Sequence, residues 1–167
     1  MLYYTYKSLL LYTPEQRRRR DASPWTLVQA ILAPLQFLVF LVSLALVLRY
    51  LATGEGLQAA ILSVVVKTLV LYTIMVTGSI WEKEVYGVWL FAAPFFWEDV
   101  FSMLVLALHT AYLVALAQQA LSPTGLMLLA LAAYAAYVIN AGQFLLKLRA
   151  ARLQGEAPLP SHAGGAR

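Results

Sequence analysis

Four long apolar stretches dominate the chain: Trp25 to about Leu51, Leu57 to Ile80, Val100 to Leu121 and Thr124 to Leu148. Each supplies the roughly 20 predominantly apolar residues that a helix needs to cross a bilayer. Two short breaks, "ATGEG" before the second stretch and "SPTG" around the start of the fourth, carry the Gly, Pro and Ser that end helices. The pattern predicts an all-α membrane protein, four transmembrane helices in a bundle. The membrane domain spans residues 25–151. An N-terminal interfacial and basic segment, 1–24, precedes it, and a disordered tail, 152–167, follows. The first span is too long for a signal peptide and lacks a small-residue cleavage site. The connection between spans two and three, residues 81–99, is longer than the others, and it is aromatic and acidic.

Composition agrees with the pattern. Hydrophobic residues make up 62% of the 167, against about 45–50% in soluble domains. The chain has no cysteine, which excludes disulfides and thiolate metal sites. A net charge of +4 is too small and too clustered to suggest nucleic acid as a partner. Its placement is informative. Arg17 to Arg20 precede span one, Lys83 lies in the middle connection, and Lys147, Arg149 and Arg152 follow span four. With four spans, these fall on one side, and only Arg49 sits near the opposite ends. The excess of basic residues predicts both termini and the 81–99 connection on the cytoplasmic side. The Arg run reads as this topology signal together with contact to anionic lipid head groups. The aromatic start "MLYYTYKSLLLY" reads either as a short interfacial helix or as an extension from an upstream start.

Polar residues inside the spans are costly and face the bundle interior. Span one carries Gln29, Gln36 and Ser43 at seven-residue intervals, near one face. Span two carries Lys67, about nine residues or roughly 14 Å from the nearer membrane face, too deep to snorkel. A buried partner is expected for it: His109, a carbonyl or a ligand carboxylate. In span three, Glu98, Ser102, Val105, His109 and Tyr112 stay within about 40° of one line at 100° per residue. That face runs from an acid at the rim to an imidazole roughly 16 Å deeper. Span four repeats the rhythm with Leu129, Ala133, Ala136, Asn140 and Gln143, a packing seam with amides toward the acidic end.

Half of the eight carboxylates, Glu82, Glu84, Glu98 and Asp99, flank the apolar run "VYGVWLFAAPFF". An aromatic belt at the interface accounts for Trp81 and Trp97 but not for these acids. Carboxyl groups held against apolar surface make good general acids. The aromatic stretch suits a large planar ligand entering from the bilayer. No phosphate loop, dinucleotide glycine pattern, GxSxG or HExxH is present. Two histidines, one of them in the tail, argue against a multi-His metal centre.

These segments resemble a known family. "YTPEQRRRRDASPW" (Tyr12–Trp25), "WEKEVYG" (Trp81–Gly87), "LFAAPFFWEDVFSMLVLALHT" (Leu90–Thr110) and "AAYAAYVINAGQFLLKLRAARLQ" (Ala132–Gln154) are similar to the 2-vinyl bacteriochlorophyllide hydratases. The resemblance covers about Tyr12 to Gln154. It implies a lyase of bacteriochlorophyll synthesis in the bacterial inner membrane, cytoplasmic or intracytoplasmic. That enzyme hydrates the C3 vinyl group of chlorophyllide a or a related chlorin to a 1-hydroxyethyl group, with no cofactor. The bilayer and other pigment-synthesis enzymes are its expected surroundings. Acid-initiated hydration needs a proton donor, a base and a positioned water. The expected catalytic set is Glu98 as donor, Asp99 or Glu82 stabilising charge or positioning water, and His109 as base or as a ligand to the chlorin magnesium. Trp81, Trp89, Phe95, Phe96 and Trp97 are expected to stack on the macrocycle. Lys67 is expected to meet its propionate, with Asn140 and Gln143 as further contacts. The alternative is a pigment-binding or assembly subunit of a photosynthetic complex, using His109 as chlorophyll ligand.

Overall fold

The computed structural model describes residues 11–156, with side chains through 153. Of the start Met1–Tyr12, expected as an interfacial helix or an upstream extension, residues 1–10 lie outside the described residues, as does the tail beyond 156, while Leu11 and Tyr12 form a bend. Thr13 opens α1 (Pro14–Ala22) with a capping box: Gln16 N–H donates to its hydroxyl at 3.2 Å, and its own N–H donates to Gln16 Oε1 at 2.8 Å. Ser23 caps α2 (Pro24–Thr53), which starts on a proline whose missing N–H costs nothing at that position. The α2 helix ends at Gly54, which takes a left-handed conformation (φ 73°).

Helix α3 (Leu57–Tyr86) runs past the apolar stretch to Gly87, at φ 84°. The segment "WEKEVY" contains strong helix formers, so the end of hydrophobicity is not the end of the helix. Likewise α4 (Phe96–Ala117) begins with Glu98 and Asp99 in its first turn. The 81–99 segment is therefore two helix ends joined by residues 87–95, closing in a 3-10 turn at Ala93–Phe95. The last helix, α5 (Pro123–Glu156), continues past Ala151. Four of these helices are long and apolar enough to cross a membrane.

The bundle is two antiparallel hairpins. In α2–α3, Ser43 meets Ser63 at 2.7 Å, Gln29 Nε2 donates to Thr77 at 2.7 Å, and Trp81 Nε1 donates to Thr26 at 2.9 Å. In α4–α5, Ser102 donates to Asn140 Oδ1 at 3.2 Å. The hairpins join where Phe40 packs on Tyr134 and Tyr137, at 5.4 and 5.0 Å between centroids, and where Ser43 meets Tyr134 at 2.5 Å. Contact between α3 and α4 is thinner. There Tyr72 bonds Thr110 at 2.7 Å beside an apolar groove of about 320 Å³.

The molecule is inverted relative to a soluble domain. Leu27, Ile31, Leu38, Leu62 and Leu69 are exposed, while Gln36, Ser43, Lys67, Ser102, His109 and Asn140 are buried. Among lipid tails, apolar burial does not drive helices together, and close packing of small residues does. Ala60, Ala130 and Ala133 supply that contact here. Interhelical hydrogen bonds average about 0.6 kcal/mol each in a bilayer, so they set register more than they hold the bundle.

Candidate functional site

The acids gather where the two hairpins present their α3–α4 turn. Glu82, on the last turns of α3, and Asp99, in the first turn of α4, are both buried. Their carboxyls are neighbours, held by consecutive amides of the loop that joins the two helices. Two ionised carboxylates this close in a buried site repel one another, which favours a proton on one of them. Each accepts a backbone N–H from the connecting loop, Phe91 to Asp99 Oδ2 at 2.7 Å and Ala92 to Glu82 Oε2 at 3.1 Å. Phe91 is held at φ 61°, in the left-handed region that a bulky residue rarely adopts.

Glu98 faces the other way, toward α5. Its Oε1 lies 3.1 Å from Lys147 Nζ, and its Oε2 is buried without a partner. Lys147 also donates to the Pro94 carbonyl at 2.6 Å, so one ammonium ties the carboxylate to the loop. Asn140 Nδ2 donates to the Glu98 carbonyl at 2.8 Å. Glu84 points outward and hydrogen-bonds Ser23, which anchors α1 to α3. A stack of Tyr12 on Tyr86, at 5.8 Å, reinforces that contact.

The aromatic residues divide into two groups. Phe95 is a buried plug, edge-on to Trp81 and Tyr86, both at 5.8 Å, and stacked on Phe144 at 6.0 Å. Trp81 and Phe95 are thus engaged inside the protein. Trp89, Phe96 and Trp97 are exposed, and Phe91 joins them, 5.8 Å from Phe96. They put exposed aromatic surface on the loop and on the first turn of α4, next to the acids in sequence.

Lys67 and His109 lie elsewhere. Both are fully buried in the bundle's core, with Lys67 Nζ 3.8 Å from the Tyr137 ring centroid. Asn140 joins α4 to α5, and Gln143 is half-buried with its Oε1 unpartnered. Sequence reasoning missed Lys147, treating it only as a topology charge. The signal was present: Asn140, Gln143 and Lys147 continue one helical face at intervals of three and four. The Phe91 and Ala92 amides carry no sequence signal at all.

A family model described as 2-vinyl bacteriochlorophyllide hydratase (BCHF) matches residues 12–150. The chain is 70% identical over 145 residues to the 2-vinyl bacteriochlorophyllide hydratase of Rhodobacter capsulatus, covering 86% of this chain and 84% of that one. It is also 70% identical over 148 residues to the protein of the same name from Cereibacter sphaeroides, covering 88% and 91%. No solved structure matches.

Proposed function

The chain belongs to the 2-vinyl bacteriochlorophyllide hydratase family, and from that premise we propose that it adds water across the C3 vinyl group of chlorophyllide a. It is a multi-pass membrane hydratase of bacteriochlorophyll synthesis. The membrane we assign is the bacterial inner membrane, cytoplasmic or intracytoplasmic. The termini and the acidic end would face the cytoplasm, as the basic residues at that end favour.

One observation supports the site assignment: a buried carboxyl pair and a lysine-paired carboxylate occur at the same α3–α4 turn, next in sequence to exposed aromatic rings. The pair Glu82–Asp99 holds a proton and acts as the acid. It protonates the terminal CH2 of the vinyl group, leaving a cation on the carbon attached to the macrocycle, where the ring delocalises the charge. Glu98, salt-bridged to Lys147, stabilises that cation, and its unpartnered Oε2 takes the proton of the attacking water. This exchange of roles follows the geometry: Glu98 meets Lys147, whereas Glu82 and Asp99 meet loop amides. The exposed rings of Trp89, Phe96 and Trp97 receive the face of the macrocycle, with Gln143 as a polar contact.

Lys67 and His109 are left outside this reading: His109 is eleven residues from Glu98 on α4, roughly 16 Å along its axis. Lys67 is fifteen residues from Glu82 on one helix, roughly 22 Å along its axis. That exceeds the span from the vinyl carbon to the propionate carboxylate of a single chlorin.

The test is to supply chlorophyllide a to membranes holding this chain and look for a product heavier by one water. Glu82→Gln with Asp99→Asn keeps acceptors for the Phe91 and Ala92 amides but removes the acid. Turnover is expected to fall by about 10²–10⁴, the usual contribution of a general acid. Near-normal turnover in that variant would exclude the pair as proton source.

A further inference from the structure

The bundle's core holds a second cluster that the hydration chemistry leaves unused. Lys67 on α3 and His109 and Tyr112 on α4 are all fully buried. Lys67 Nζ, His109 Nε2 and the Tyr112 hydroxyl have no hydrogen-bond partner. The Tyr137 ring under Lys67 attracts its charge but accepts none of its N–H bonds in the ordinary sense. Buried polar groups left this way cost about 1–3 kcal/mol each, so three together point to something that they bind.

The donor and acceptor pattern restricts what that is. His109 Nδ1 lies 2.8 Å from the Val105 carbonyl. A carbonyl only accepts, so Nδ1 carries the hydrogen and Nε2 of the neutral ring presents a lone pair. The His109 ring lies 5.9 Å from that of Tyr134, one turn along α5 from the Tyr137 ring that Lys67 covers, so both groups meet the same face of α5, where a second positive charge beside the ammonium is disfavoured. The ligand must therefore accept from an ammonium and donate to an imidazole. A carboxylate or other anion would meet the Nε2 lone pair. A metal cation would meet the ammonium. A small neutral hydroxyl compound satisfies both, and Tyr112 adds a third partner, within the two to four that a buried water takes.

We propose that Lys67, His109 and Tyr112 bind a water molecule in the bundle core and form with it a proton-exchange centre separate from the acids. In it the Lys67 ammonium gives a proton to the water, which gives one of its own to His109 Nε2. The result is a neutral amine, an imidazolium and a water, with total charge unchanged. Along α4 the nearest carboxylate, Glu98, is eleven residues away, roughly 16 Å. This inference does not depend on the hydratase reading.

The sequence makes the test clean, because its only other histidine is His162. The full chain carrying His162→Gln, with 15N-labelled histidine, is reconstituted in lipid bilayers and observed by solid-state NMR without substrate. The expected spectrum has a protonated Nδ1, a bare Nε2, and a contact from Nε2 to protons that exchange with D2O at water frequency. In Lys67→Met that contact is lost. Where Lys67→Met does not fold, Tyr112→Phe, which removes one hydroxyl, weakens it several-fold. A doubly protonated ring, or a direct Nε2 contact to the Lys67 ammonium with no water, overturns the proposal. So does an Nε2 partner that appears only when chlorophyllide a is added, which would make the ligand the substrate. An unchanged contact in both variants overturns it as well.

Discussion

At the residue scale, the Glu98–Lys147 pair separates structural from chemical contributions. Removing one partner of a fully buried ion pair costs about 3–5 kcal/mol, because the other charge is left alone. Lys147 is 29% exposed on its side chain, so its loss is milder. Lys147→Met is expected to destabilise by about 2 kcal/mol. Adding Glu98→Gln removes the stranded charge, and most of that stability is expected to return. Turnover does not return, because the carboxylate that steadies the cation is gone. Unfolding in detergent and product formation, measured on both variants, check this. Recovery of both properties together would show Glu98 to be only a structural anchor. The acids were legible in the sequence as a cluster, since four of eight carboxylates beside an apolar run is a conspicuous pattern. Their division of labour was not. It depends on which partner each oxygen meets, and Lys147 lies 49 residues from Glu98 in the chain.

At the element scale, the loop 87–95 is a unit with its own anchors. Two of its amides bind Asp99 and Glu82, Lys147 holds Pro94, and Phe95 fills an aromatic box. The helices on either side have their own packing within the bundle core. Phe95→Ala opens a cavity in the box and is expected to cost about 3 kcal/mol. That cost falls on the loop's local opening rather than on the bundle. Hydrogen exchange at the Phe91 and Ala92 amides should accelerate on the order of a hundredfold, at about 1.4 kcal/mol per factor of ten. Exchange in the middle of α2 and α5 should not change. Uniform acceleration through all helices would show that the loop is not a separate unit. Helix existence was legible here from hydrophobic length, and the buried stripe of α4 from its spacing. The loop's plug was not, because Phe95, Phe96 and Trp97 look alike in composition. The turn of the chain alone decides that Phe95 goes in while its neighbours go out.

At the scale of the whole molecule, the question is what keeps two greasy hairpins together in a solvent as greasy as themselves. The seam offers two answers, small residues in close contact and polar pairs such as Ser43 with Tyr134. Their magnitudes differ. Deleting the Tyr134 hydroxyl removes a bond of about 0.6 kcal/mol in a bilayer environment. Ala130 is fully buried in the cluster that holds Phe40, Tyr134 and Tyr137. Forcing extra methylenes into such a contact costs typically about 1–3 kcal/mol. Ala130→Leu is therefore expected to destabilise the bundle more than Tyr134→Phe, although it adds apolar surface and removes no hydrogen bond. In a soluble domain of the same helices, added burial would offset part of that cost. Here lipid contact supplies the same apolar surroundings outside the bundle, so nothing is gained by bringing the Leu inside. Unfolding of each variant in mixed micelles gives the order. If Tyr134→Phe proves the more damaging change, polar bonding rather than close packing holds the hairpins together.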